Sequence, residues 1–66
     1  MTSIQKDVLR YIEDNFAVRS PELAKQFGLD LHKIQLLLAD LSSQNLIKRS
    51  NSGLYRIREY ARDLNG

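Results

Sequence analysis

Cysteine is absent from the sequence, which excludes a disulfide framework, a thiolate zinc site and a cysteine nucleophile. The single histidine has no second histidine or cysteine near it, so no metal site is expected. There is no glycine-rich phosphate loop, and no pair of acids that spacing would bring into one cleft. Together these absences argue against an enzyme, and neither catalytic residues nor a cofactor are expected. No apolar run approaches the roughly 20 residues that a membrane-spanning helix needs. The N-terminus also lacks the basic-then-apolar layout of a signal peptide, so the expectation is a cytoplasmic protein without membrane contact. RNA binding stays open on charge grounds, but the chain has only three tyrosines and two phenylalanines, most of which fit a core, so stacking platforms are not evident.

What is present suits one small globular domain over residues 1 to 66. A chain of this length buries only about 60% of the surface that its unfolded form exposes, so the core must be compact. With 42% hydrophobic and 27% charged residues the composition is that of a folded chain, and its stability must come from packing. The net charge of +2 is unevenly spread. Residues 1 to 47 carry five Lys or Arg against six Asp or Glu, whereas residues 48 to 66 carry five against two. A basic last third suits a polyanion such as nucleic acid.

Thr2 and Gln5 have capping-box spacing, and Ile4, Val8, Tyr11, Ile12 and Phe16 recur at helical intervals, which predicts a first helix over about 3–15. Ala17 to Arg19 break that periodicity. Ser20 then offers a hydroxyl N-cap before Pro21, which opens a short second helix over about 21–27, ended by Gly28 in a left-handed conformation. Asp30 caps a third helix over about 31–44, with Leu31, Ile34, Leu38 and Leu41 as its buried stripe and Asn45 as its left-handed exit. A hairpin over about 46–57 follows, with its turn at Asn51-Ser52-Gly53. In the C-terminal segment 58–66, Tyr60 and Leu64 lie four apart, which fits a short helix closing over the first one, or part of a dimer seam. The fold class is therefore mainly α with a small β-hairpin.

The segment Ser20-Pro-Glu-Leu-Ala-Lys-Gln-Phe-Gly-Leu-Asp resembles the first helix and turn of a helix-turn-helix. Leu41-Ser-Ser-Gln-Asn-Leu-Ile-Lys-Arg-Ser resembles the end of a recognition helix running into a wing. Over residues 4 to 57 the chain is similar to the small prokaryotic winged helix-turn-helix regulators, including MarR-type and DeoR-type domains and the short regulators of fimbrial operons. The resemblance implies a three-helix winged helix-turn-helix that binds double-stranded DNA in transcription regulation. Its third helix would enter the major groove and its wing would meet the backbone or minor groove.

On that reading the outward residues of the third helix, His32, Lys33, Gln35 and Leu36, are the candidate base readers. Gln35 suits adenine, Lys33 or His32 suits guanine or phosphate, and Leu36 suits a thymine methyl group. Lys48, Arg49, Asn51 and Arg56 of the hairpin, and Ser20 at the second helix, are candidate backbone contacts. Arg19, Lys25, Arg58 and Arg62 are weaker ones. Each of these also has a plainer reading as an ordinary solvated side chain, and a charged hairpin edge also resists aggregation. Leu36 lies off the buried stripe and equally suits a protein partner, which makes a protein-interaction module the alternative function. The DNA-binding reading is compatible with a homodimer or with cooperative assembly on DNA.

Overall fold

A computed structural model describes residues 2 to 58. Among these the elements run α1 (Ser3–Asn15), α2 (Ser20–Phe27), α3 (Leu31–Ser43), β1 (Ile47–Arg49) and β2 (Tyr55–Ile57). The architecture is mainly helical with one two-stranded antiparallel hairpin, as the sequence pattern implies. The expected helix at Tyr60 and Leu64 lies outside the described residues.

Local chemistry accounts for most of the boundaries. At α1 the Thr2 hydroxyl accepts from the Gln5 amide while the Gln5 side chain accepts from the Thr2 amide, a reciprocal capping box. Asp30 caps α3 by accepting from the His32 amide. Gly28 ends α2 at φ 63°, and Asn45 carries the chain out of α3 at φ 61°. α2 begins one residue earlier than the Ser-Pro pair suggests. Its N-cap is Arg19, whose carbonyl accepts from the Leu23 amide, so Ser20 is the first helical residue and not the cap.

The core gathers Val8, Leu9 and Ile12 of α1, Val18, Leu23 of α2, Ile34, Leu38 and Leu41 of α3, and Leu46 and Ile47 at the hairpin. No polar or charged residue is buried among the described residues. Tyr11 and Phe27 join α1 to α2 edge to face, with ring centroids 5.8 Å apart.

Two expected core residues lie outside this cluster. Leu31 is 40% exposed: helical side chains lean toward the N-terminus, so the first residue of α3 points past the helix end instead of onto the core. Phe16 is 60% exposed, because α1 stops at Asn15 and the chain turns away before Phe16 can complete the stripe begun by Ile12.

The hairpin pairs Ile47 with Ile57, Lys48 with Arg56 and Arg49 with Tyr55. Ser50 and Gly53 close its turn through a Gly53 amide to Ser50 carbonyl bond, with Gly53 at φ 87°. A two-stranded hairpin alone is marginal in water. Here Val18 adds a further rung: its amide and carbonyl both bond to Tyr55, at 3.0 and 2.7 Å. The break in helical periodicity at Ala17 to Arg19 is thus a backbone splice that pins β2 to the α1–α2 connection.

Candidate nucleic-acid interface

Strand alternation divides the hairpin's charges. Arg49 and Tyr55 form one cross-strand pair, and the next pair, Lys48 and Arg56, projects to the opposite face. Arg49 and Tyr55 border an open cleft of about 590 Å³. Its other walls are Arg19, Ser20 and Pro21 at the start of α2, Gln35 on α3, and Ser52 and Gly53 in the turn. Three segments distant in sequence therefore meet at one concavity.

Its electrostatics follow from that lining. Two guanidinium groups, Arg19 and Arg49, face it, and no carboxylate lines it. The start of α2 adds the positive end of a helix dipole. The Arg19 guanidinium also donates to the Ser52 carbonyl, so the side chain serves as a strut as well as a charge. In the turn the Ser50 and Ser52 hydroxyls lie 2.9 Å apart, and Ser50 accepts from the Leu54 amide, leaving a small polar rim.

Of the nine site residues inferred from sequence, Ser20, Gln35 and Arg49 line this cleft. Asn51 is exposed in the turn. Lys48 and Arg56 are exposed on the other face of the hairpin, where the Arg56 guanidinium lies 4.5 Å from the centroid of the Phe16 ring. His32, Lys33 and Leu36 are exposed on α3 but do not border the cleft. At roughly 100° per residue the four α3 candidates spread over about 160° of the helix circumference. Gln35 is turned toward the hairpin, His32 and Leu36 form the outermost ridge, and Lys33 lies on the far flank.

Arg19 and Gly53 are the cleft residues that sequence reasoning undervalued. Arg19 is one unremarkable cation before a Ser-Pro pair, and nothing local reveals a partner thirty-three positions away. A Cβ placed on Gly53 would lie 3.5 Å from Arg19 Nη1 and 3.7 Å from Arg49 Nη2, so this glycine sits between the two guanidinium groups.

Away from the cleft, the Tyr11 hydroxyl donates to Glu22 Oε2 at 2.9 Å. That bond, together with partial burial and the nearby carboxylate charge, raises the phenol pKa above its ordinary 10.0. No group of His, Cys, Asp and Glu residues among the described residues could hold a metal ion, and no described helix is long and apolar enough to cross a membrane.

The class defined by the described residues is a fold of three helices and a β-hairpin, with a basic cleft where hairpin, α2 and α3 meet. Compared with known proteins, the chain matches no family model, no curated protein and no solved structure.

Proposed function

We propose that this chain is a winged helix-turn-helix domain that binds double-stranded DNA as a cytoplasmic transcriptional regulator or accessory factor, and is not an enzyme. The observation that carries the reading is the cleft itself. It sets two guanidinium groups and the start of α2 beside an exposed amide side chain of α3, with no acid on its walls. Arg19 and Arg49 suit phosphate oxygens or a narrow minor groove. Gln35 suits the N6 and N7 edge of adenine in the major groove. The polar turn at Ser50, Asn51 and Ser52 suits close approach to a sugar-phosphate chain. The same lining holds no histidine or carboxylate, the groups that most often serve as a general base, which supports binding over catalysis.

A second reading, a winged-helix module that binds another protein, is favoured by one observation. Leu36 is 59% exposed on the outermost ridge of α3, beside His32 and Lys33.

The deciding experiment is a fluorescence-anisotropy titration of the protein against genomic fragments and random duplexes at two salt concentrations. Salt-sensitive binding with a preferred fragment is the expected result. Absence of binding at low salt overturns the DNA reading and leaves the protein-interaction module.

A further inference from the structure

Phe16 combines three features that disfavour the free protein. Its backbone, at φ 68° and ψ −53°, forms a γ-turn closed by the Ala17 amide on the Asn15 carbonyl at 2.7 Å. This is the rarer, strained hand of that turn, and a bulky residue seldom adopts it. Its ring is 60% exposed. Beside it, Arg56 and Lys48 stand directly opposite each other in the hairpin register, a like-charge cross-strand pair that is unfavourable without an anion. Arg56 is fixed over the Phe16 ring, so the aromatic and both cations form one patch. Strain of this kind persists where the surrounding fold enforces it, and it concentrates at binding and switching positions.

We propose that this outer face of the hairpin, built from Phe16, Lys48 and Arg56, docks an acidic segment of a partner protein that carries an apolar side chain between its carboxylates. Charge complementarity selects the occupant. Carboxylates relieve the Lys48–Arg56 repulsion, and one apolar side chain covers the exposed ring, giving a central anchor inside a charged rim. A single-stranded nucleic acid fits less well, because it uses successive stacking platforms, and Phe16 is the one large aromatic strongly exposed among the described residues. The patch faces away from Arg49 and the cleft, so both surfaces can be occupied together.

The test is an NMR titration of the full, isotope-labelled chain with two probes. One is a short synthetic peptide of alternating glutamate and leucine around one phenylalanine, and the other is an oligothymidine of matched charge. The expected result is saturable peptide-induced shifts at the Phe16, Lys48 and Arg56 amides, with Gln35 and Arg49 unmoved. Phe16→Gly suits the positive φ and keeps the fold, and Arg56→Glu reverses one charge; each is expected to weaken peptide binding by roughly tenfold or more. Peptide shifts centred on Arg49 and Gln35 would mean that the cleft attracts any anion, and would overturn the proposal. So would undiminished peptide binding by Phe16→Gly, lack of saturation, or tighter binding of oligothymidine at Phe16.

Discussion

The Arg19 guanidinium donates a hydrogen bond to the backbone carbonyl of Ser52, joining the start of α2 to the hairpin turn across thirty-three positions. With the Val18–Tyr55 rung next to it, this contact fixes where the hairpin stands relative to α3. The basic cleft is a product of that placement.

Replacing Arg19 should therefore loosen the turn more than it lowers global stability. An exposed hydrogen bond of this type contributes about 0.5–1.5 kcal/mol, and solvent screening puts Arg19→Ala at the lower end. Amide exchange at Gly53 and Leu54, which both bond to Ser50, should rise in this variant. Arg19→Lys keeps the charge without the guanidinium fork and should show intermediate exchange. Unchanged exchange in Arg19→Ala would show that the turn holds its position without the strut.

On the proposed DNA-binding function, the division of the hairpin's charges predicts unequal effects of its arginines. Arg49→Ala should weaken binding to every duplex and reduce the salt slope by about one. Arg56→Ala, on the opposite face and committed to Phe16, should have a clearly smaller effect. If α3 meets DNA as proposed, Gln35→Ala should alter preference between sequences, by about 1–3 kcal/mol at the contacted base. Anisotropy titrations of the three variants check the ordering. Equal losses for Arg49→Ala and Arg56→Ala would place DNA on both faces of the hairpin.

The fold was legible in sequence wherever the governing chemistry is local. Thr2, Asp30, Gly28 and Asn45 act on backbone groups within a few residues, so the helix limits could be read from them. The stripe of Ile34, Leu38 and Leu41 was legible through its period. What escaped depends on long-range or end effects. Val18 pairs with Tyr55 by a single rung, too short to show alternation, and Leu9 is buried because more than one neighbour packs on α1. Residue types identified the candidates for the site, but only the hairpin register separates Arg49 from Lys48 and Arg56.

Phe16 gives a stability prediction that is independent of any ligand. Strain at such a backbone position amounts to about 1–3 kcal/mol, and the exposed cation–π contact returns only about 0.5–1 kcal/mol. Phe16→Gly relieves the strain and should hold or raise the melting temperature, by about 4–8 °C for each kcal/mol gained. Phe16→Ala loses the ring but keeps the strain, and should melt lower. Thermal melts by circular dichroism distinguish the two. A lower melting temperature for Phe16→Gly would show that ring packing outweighs backbone strain.

Tyr11 predicts an alkaline signature. Its pKa is raised in the folded protein, first by the hydrogen bond to Glu22, then by partial burial and by the Glu22 charge. The folded state thus favours the neutral phenol. The resulting stability is fully present below the ordinary phenol pKa of 10.0 and is lost as pH rises through the higher folded value. Tyr11→Phe should be less stable than the parent at neutral pH, and the two denaturation curves should converge above pH 10. A constant difference between them across that range would show that the phenol proton does not contribute.

Leu36 and Leu38 lie two positions apart on α3 yet should respond in opposite ways. Leu38 is fully buried, and Leu38→Ala should lose about 2–5 kcal/mol, a large share of the stability of so small a domain. Leu36 touches mainly solvent, and Leu36→Gln keeps a side chain of similar length and good helix propensity, so its stability should stay within about 0.5 kcal/mol of the parent. Any functional loss in Leu36→Gln therefore reports on binding rather than folding. If DNA is the ligand of α3, the variant should lose preference at thymine-containing positions, because the methyl group has lost its apolar contact. If DNA binding is unchanged in affinity and in sequence preference, the outer ridge of α3 is not in the groove, and Leu36 is available to a protein partner. Anisotropy on the preferred duplex and its thymine-substituted versions, with urea melts of both variants alongside, separates these outcomes.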